Sequence, residues 1–179
     1  MRIKQTILPV LLTAILMLSG CVYYFPHVYD GPTKKIYMAS WNNRTSNLEL
    51  DTQIYQSLSR WFQKSKSIVL TKDKAEADLI LAGEIMSIYL PGISWNESAS
   101  ATEVKVRMEV RYILKDLKTN DILWEVPREL WTEEYSTRGG SSVIASNEKE
   151  ALDQIKDDLS ERIYLGTLEQ LRKINMEAE

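Results

Sequence analysis

The clearest alternation of apolar and polar residues in the chain runs from Glu103 to Lys115. Apolar side chains occupy every second position: Val104, Val106, Met108, Val110, Tyr112 and Leu114. The positions between and beside them are charged, apart from Ile113: Glu103, Lys105, Arg107, Glu109, Arg111 and Lys115. A period of two predicts a β-strand with one buried face and one open face.

Turn residues at 116–120 follow this strand, and residues 121–135 are predicted to return beside it as the second strand of a long hairpin. The return strand is expected to share one face among four apolar residues: Ile122, Trp124, Val126 and Leu130. Pro127 has no backbone N–H to donate, so we expect a sheet edge or a bulge there. The pattern thus predicts a hairpin whose second strand is irregular.

Two other stretches repeat apolar residues with the period of a helix. The first covers residues 47–65, and its stripe is Ile54, Leu58, Trp61 and Phe62. Ser46 and Glu49 have the spacing of a capping box and predict its start. The second helix is predicted at 147–173, after a loop at 136–146, and Gly166 is expected to loosen it.

Shorter apolar segments predict the remaining strands at 35–41 and 79–90, with a brief one at 67–71. The segment at 79–90 is apolar on both faces, which is typical of a central strand. Residues 93–101 are predicted to form a polar loop that carries Trp95. This order predicts an α+β fold of two layers, in which two helices pack on one face of a mostly antiparallel four-stranded sheet.

The first 20 residues have the layout of a secretory signal peptide: Arg2 and Lys4, an apolar run at 7–18, and then small residues. The run is about a dozen residues, whereas a membrane-spanning helix needs roughly 20. We therefore expect a removable signal at 1–20 and a tether at 21–34. A single folded domain at 35–174 and a flexible tail at 175–179 complete the predicted organisation.

Leu18-Ser19-Gly20-Cys21 resembles the lipobox of bacterial lipoproteins. The resemblance implies cleavage before Cys21, a diacylglyceryl group on its sulfur and acylation of the new amino group. Several acyl chains anchor a protein stably, whereas one binds only marginally. The resemblance also favours the outer membrane, because many Gram-negative lipoproteins retained at the inner membrane have an aspartate where this chain has Val22. The alternative is an ordinary signal peptide in which the cysteine is a coincidence.

Composition and motifs argue against several functional classes. Residues 1–20 hold two of the 22 basic residues and none of the 25 acidic ones, so the remainder has a net charge of −5 and no basic excess for nucleic acid. His27 is the only histidine and Cys21 the only cysteine, so neither has a partner for a metal site or a catalytic triad. Neighbouring acids such as Asp157 and Asp158 point in different directions. We expect no enzyme activity, no cofactor and no metal.

Several segments, in their order and spacing, resemble the LPS-assembly lipoprotein family, LptE. They are the lipobox at Cys21, residues 38–45 (MASWNNRT), residues 75–85 (AEADLILAGEI), the hairpin 104–124 with KTNDILW at its turn, and residues 159–163 (LSERI). The resemblance implies an outer-membrane lipoprotein on the periplasmic side of the membrane. Family members sit within the β-barrel protein LptD as plug and assembly partner, bind lipopolysaccharide during its delivery, and are not enzymes.

Five residues are candidates for contact with lipopolysaccharide or with the barrel: Arg44, Trp95, Lys105, Arg107 and Arg111. Arginine and lysine suit phosphates, arginine through paired hydrogen bonds. Each candidate has a structural alternative. The strand cations could simply pair with neighbouring acids, Arg44 could stabilise its turn, and Trp95 could fold back on the sheet.

A second function is compatible with the same sequence, namely a periplasmic regulatory lipoprotein that activates a cell-wall synthase or a secretion system. Such proteins resemble this chain in the turn at Asn43-Arg44-Thr45. They usually have a longer tether or more alternating strands and helices. The tether of about a dozen residues therefore favours a body held close to the membrane.

Overall fold

The computed structural model describes Tyr29 and residues 31–177. Within them, seven strands and two helices form the fold, with a 3₁₀ turn at Lys74–Glu76. In chain order these are β1 (Lys34–Met38), β2 (Asn42–Asn43), α1 (Leu50–Gln63), β3 (Ile68–Thr71), β4 (Leu79–Tyr89), β5 (Gly92–Trp95), β6 (Ala101–Asp116), β7 (Ile122–Ser136) and α2 (Ser141–Glu177).

All seven strands belong to one mixed sheet, in the order β3-β1-β4-β6-β5, with β2 beside β4 and β7 beside β6. The α+β class is therefore right, but the expected four-stranded, mostly antiparallel sheet is wrong. β1 pairs in parallel with both β3 and β4. α1 lies in the crossover that precedes β3, and the 3₁₀ turn at Lys74–Glu76 lies in the connection from β3 to β4. β2 and β5 have two and four residues, too few to show a period of two.

Both helices contribute to one hydrophobic core with the apolar face of the sheet. The alternation predicted for β6 is confirmed, since all six apolar positions from Val104 to Leu114 are buried. β4 is central, between β1 and β6, as its two apolar faces indicated. The core residues of the helices include Leu50, Ile54, Leu58, Phe62, Ala151, Ile155, Leu159, Ile163, Leu168 and Leu171. The opposite face of the sheet is thereby left to the charged side chains of β6.

The second helix is longer than its apolar stripe predicted. It begins at Ser141, so the loop expected at 136–146 ends six residues early. It continues through Gly166 without a break and ends at Glu177, and Trp124 packs against that glycine. Three residues of the expected tail are thus helical, and residues 178–179 lie outside the described part of the chain.

The capping box expected at the start of α1 is wrong. Glu49 precedes the helix with a positive φ of 69°, and no side chain caps the first turn. Ser46 lies instead in a turn organised by Asn43, whose side chain accepts from the backbone N–H of Thr45 at 2.9 Å and donates to the carbonyl of Asn47 at 2.8 Å. Local side-chain bonds of this kind compete with helix capping.

β7 contains the bulge predicted at Pro127. Val126 lies opposite Tyr112 and Glu129 opposite Val110, so Pro127 and Arg128 together face one residue of β6. The extra residue reverses the faces of the strand beyond it. Leu130, expected on the buried face with Trp124, is consequently 46% exposed. Ile122, expected on the same face, is also exposed, since a second irregularity lies next to it.

Candidate functional site: the charged face of the sheet

The charged face is the side of the sheet that faces away from the helices. Three of the candidate cations, Lys105, Arg107 and Arg111, lie on it at every second position of β6. Arg44 reaches the same face from the turn after β2, because its guanidinium contacts Glu84 on β4. The structure therefore brings four of the five candidate contact residues onto one surface.

Glu84 is the centre of the most organised cluster on the charged face. One carboxylate oxygen accepts from Nε of Arg44, and the other accepts from Nε of Arg111. Asn42 also donates from its amide to Glu84, at 2.7 Å. The Glu84 side chain is only 6% exposed, whereas those of Arg44 and Arg111 are 57% and 52% exposed. A buried carboxylate thus holds two half-exposed guanidinium groups side by side.

The strand pairing explains why these residues meet. Asn42 is the direct neighbour of Glu84 across the parallel pair β2–β4, and Arg111 is its neighbour across the antiparallel pair β4–β6. The Arg44 backbone N–H donates to the carbonyl of Ile85 at 3.0 Å, which fixes the start of the turn. Side chains directly opposite one another on one face of a sheet lie within contact distance.

The ionisation of Glu84 follows from this environment. Burial by itself raises the pKa of a carboxyl group, because it disfavours the charged form. The hydrogen bonds and charges of Arg44 and Arg111 outweigh that effect, so the pKa of Glu84 lies below its ordinary value of 4.5. Glu84 is therefore ionised at neutral pH, and the cluster with its two arginines carries one net positive charge.

A shallow groove of about 440 Å³ adjoins the cluster. Arg44, Glu84 and Arg111 line one part of it, and Glu125 on β7 adds a further carboxylate. Asn42 is a further polar lining residue, and the small or apolar part of the lining includes Ala82, Gly83, Ile113, Val126 and Pro127. Charged donors and an apolar floor therefore lie in the same concave surface.

The other cations of the charged face differ in their partners. Lys105 forms a salt bridge with Glu134 on β7 at 2.7 Å, and Arg128 forms one with Glu109 at 2.6 Å. Arg128 accordingly lowers the pKa of Glu109, with a small contribution from Arg107. Arg107 forms no salt bridge with any residue between 31 and 177, and its side chain is exposed. Arg107 is thus the candidate cation with the most available hydrogen-bond donors.

Trp95 lies on a strand and not in the polar loop that the sequence predicted. It ends β5, which pairs with the start of β6, and 63% of it is exposed. Its ring approaches Gly92 so closely that a Cβ there would lie 3.0 Å from it. Tyr89, Leu90 and Ile93 are also exposed nearby, at the end of the sheet opposite the start of β1. Together with Trp95 they form an apolar tip.

Sequence reasoning missed Glu84 as the organising residue of the site. A signal was available, since Glu84 is the only charged residue between 79 and 90. Nothing in that pattern reveals that two arginines from different elements converge on it. Cys21, the predicted lipidation site, lies outside the described residues, as do the segments at 1–20 and most of the tether.

Two further findings concern the described residues alone. No group of three His, Cys, Asp or Glu side chains between 31 and 177 is placed to hold a metal ion. Neither α1 nor α2 combines the length and the hydrophobicity that crossing a bilayer requires.

The sequence matches the family model described as LptE: Lipopolysaccharide-assembly over residues 33–165, which is most of the chain and nearly all of the fold. The chain belongs to the LptE family. This is a family of non-enzymatic outer-membrane lipoproteins, in agreement with the resemblance in the hairpin and in the segment at 75–85. No curated protein sequence matches this LptE-family chain significantly.

Solved structures of similar fold include three bacterial proteins. The rare lipoprotein B of Shewanella oneidensis has a TM-score of 0.54 at 10% identity, with 80% of this chain and 98% of that one covered. A hypothetical protein of Chlamydia trachomatis has a TM-score of 0.53 at 14% identity, with 78% and 98% covered. An uncharacterized lipoprotein B of Nitrosomonas europaea has a TM-score of 0.51 at 15% identity, with 86% and 90% covered. At these identities the likeness establishes the fold alone.

Proposed function

We propose that this LptE-family protein is a plug and assembly partner of an LptD-type β-barrel and binds lipopolysaccharide on its way to the cell surface. In this proposal a signal at 1–20 is removed, and lipid on Cys21 anchors the protein to the periplasmic side of the outer membrane. The observation that carries the proposal is the family match over residues 33–165. The role is binding and assembly, and no catalytic step is part of it.

The charged face of the sheet supports the role of a plug. The interior of a membrane β-barrel is polar, so a domain that enters it must offer polar surface. β6 and β7, with 16 and 15 residues, present such a surface along their length. Most of its charges are already paired, as in Lys105 with Glu134 and Arg128 with Glu109. A surface of paired charges suits a polar lumen without a large excess of either sign.

Two features support lipopolysaccharide as the ligand. The lipid A part of this molecule carries phosphates and acyl chains. Arg107 is exposed, has no salt bridge to a described residue and can donate to a phosphate. Tyr89 is its direct cross-strand neighbour and belongs to the apolar tip that also contains Trp95. A cation beside exposed aromatic and aliphatic side chains suits a ligand that has both anionic groups and hydrophobic chains.

Affinity purification of the full chain from outer membranes in mild detergent tests the proposal. We expect a large β-barrel protein and lipopolysaccharide to copurify with the wild type. R107E, which reverses the charge of the unpaired arginine, should lower the recovery of lipopolysaccharide, whereas R60E on the exposed side of α1 should not. Recovery of a cell-wall synthase or a secretion component in place of a barrel would favour the regulatory alternative and contradict this proposal.

A further inference from the structure

We propose that Arg44 and Arg111, held together by Glu84, form a binding site for the phosphate group of an amphiphile whose apolar part lies in the adjoining groove. This inference deepens the lipid-binding part of the proposed function and rests on it for the identity of the natural ligand. The chemistry of the site itself depends only on the contacts on the charged face and requires no barrel partner.

Both arginines of the cluster keep hydrogen-bond donors available for a ligand. Arg44 and Arg111 each use Nε to bind Glu84, and their terminal nitrogens have no partner among residues 31–177. An arginine guanidinium has five N–H donors in a planar fork. Since each side chain is more than half exposed, these donors are accessible from solvent. Two guanidinium groups side by side can therefore donate hydrogen bonds to several oxygens of one phosphate.

The net charge of the cluster also favours an anion. Two guanidinium groups around one carboxylate leave an excess of one positive charge, and they bring two like charges close together. Like charges at short distance repel one another. A second anion relieves that repulsion and completes the charge balance of the cluster. Glu84 cannot do so alone, because its single negative charge offsets only one of the two guanidinium charges.

The two arginines are also held in place before any ligand binds. Glu84 is buried, and the additional hydrogen bond from Asn42 fixes its carboxylate. Arg111 stands on β6, which is paired along both edges, and Arg44 lies within the turn that the Asn43 side chain stabilises by accepting from the Thr45 hydroxyl at 2.7 Å. Side chains that are already ordered lose less conformational entropy on binding. The arginine pair is therefore prepared for a ligand, unlike isolated surface cations.

The shape of the groove indicates an amphiphile and not a free anion. Its floor next to the arginines contains Ala82, Ile113 and Pro127, none of which offers a side-chain hydrogen bond to a ligand. Its volume of about 440 Å³ lies within the range of small-ligand sites. Glu125 on the rim opposes an anion, so the phosphate belongs at the arginine side and the alkyl chain along the floor. Removal of the Glu125 carboxylate should therefore strengthen phosphate binding, whereas removal of either arginine should weaken it.

The experiment titrates the full chain, in dodecyl maltoside micelles, with monododecyl phosphate. The readouts are the dissociation constant and the Nε–Hε NMR resonances of the arginines. We expect saturable binding with shifts at Arg44 and Arg111. R44Q and R111Q should each weaken binding about tenfold, the effect of one charge-assisted hydrogen bond. R60Q removes the same charge from α1 and should leave binding unchanged.

E125Q tests the site without disturbing the contacts of Glu84, so a change in its affinity cannot be attributed to loss of the folded cluster. Removal of the opposing carboxylate should strengthen binding of monododecyl phosphate about threefold, at roughly 0.6–0.7 kcal/mol. Inorganic phosphate should bind at least tenfold more weakly than monododecyl phosphate, since it gains nothing from the apolar floor. Equal affinity for the two probes would overturn the assignment of an amphiphile.

Two outcomes overturn the site as a whole. One is unchanged affinity in R44Q, R111Q and E125Q, and the other is the absence of shifts at Arg44 and Arg111 at saturation. Either result would leave the cluster as a structural ion pair alone. Failure of this inference differs from failure of the proposed function. If the protein binds monododecyl phosphate at these arginines but copurifies with no barrel, the phosphate site is supported and the proposed role as a plug is contradicted.

Discussion

The indole of Trp124 lies directly against Gly166, where a Cβ would be 2.2 Å from Cη2 of the ring. The same indole meets the ring of Tyr112 edge to face, with 5.1 Å between centroids. Trp124 thus fills the space between β6 and α2, and it fits only because residue 166 has no side chain. The glycine is a packing requirement and not a weak point in the helix.

The first prediction is that Gly166→Ala lowers the free energy of unfolding by about 1–3 kcal/mol, the usual cost of overpacking. Alanine has the better helix propensity, so a gain of stability would be expected from local preference alone. Urea denaturation followed by tryptophan fluorescence measures the change. Gly140→Ala is the matched control, because a Cβ there meets nothing within 4 Å. Stabilisation of the Gly166 variant would contradict the packing.

The second prediction concerns the bulge in β7. Since the bulge turns Leu130 outwards, Leu130→Ser should change the free energy of unfolding by less than about 0.5 kcal/mol. Leu114→Ala, at a fully buried position of β6, should cost about 2–5 kcal/mol. Parallel urea denaturation of the two variants measures both values. A similar loss of unfolding free energy in both variants would show that Leu130 lies on the buried face of the sheet, as an uninterrupted alternation predicts.

These positions show how far the sequence determines the fold. The alternation in β6 predicted its buried face correctly, because the period of two continues over the 13 residues from Glu103 to Lys115. Pro127 predicted a bulge, but the reversal of faces at Leu130 depends on which residues pair across it. The start of α2 at Ser141 was missed, since residues 141–146 add no apolar stripe.

The candidate site was also predictable only in part, because spacing within one strand can be read from the sequence and pairing between strands cannot. Lys105, Arg107 and Arg111 share a face by strand geometry alone, so their clustering followed from spacing. Glu84 joined them only through the pairing of β4 with β6, and Arg44 only through the pairing of β2 with β4, and the strands of each pair are far apart in sequence. Partners of that kind depend on the register between strands, and a single strand carries no information on it.

The third prediction concerns acid stability. The pKa of Glu84 is lower in the folded protein than its ordinary value of 4.5, so its ion pairs stabilise the fold above that pH. This stabilisation is lost as the pH falls through the lower, folded pKa. Between pH 7 and 3 the wild type should therefore lose more stability than Glu84→Gln, which has no proton to bind. Thermal denaturation across this range measures the difference.

Other carboxylates contribute to the same acid sensitivity, including Asp78 beside Lys118 and Asp153 beside Lys149. Glu84→Gln should therefore flatten the pH dependence only in part. Glu97→Gln, in an exposed turn, removes a carboxylate that forms no salt bridge with a described residue, and it serves as the control. Identical pH profiles for the wild type and the Glu84 variant would contradict the role given to the arginine pair.

The fourth prediction concerns the anchor. Cys21→Ser should move the protein from the membrane fraction to the soluble fraction of the cell envelope, because acyl chains can no longer be attached. Mass spectrometry of the wild type should find the residue 21 peptide at a mass that includes diacylglycerol and an amide-linked fatty acid. A variant that is still processed and retained in the membrane would refute the lipid anchor.

The most direct measurement places a photocrosslinking amino acid at Thr132, which lies opposite Arg107 on the charged face, in the outer membrane of living cells. The same amino acid at Gln56, exposed on α1, is the control. We predict that Thr132 crosslinks to the wall of a large β-barrel and that Gln56 does so far less. If the charged face yields no crosslink to a barrel while the protein is anchored and folded, the chain is not a barrel plug.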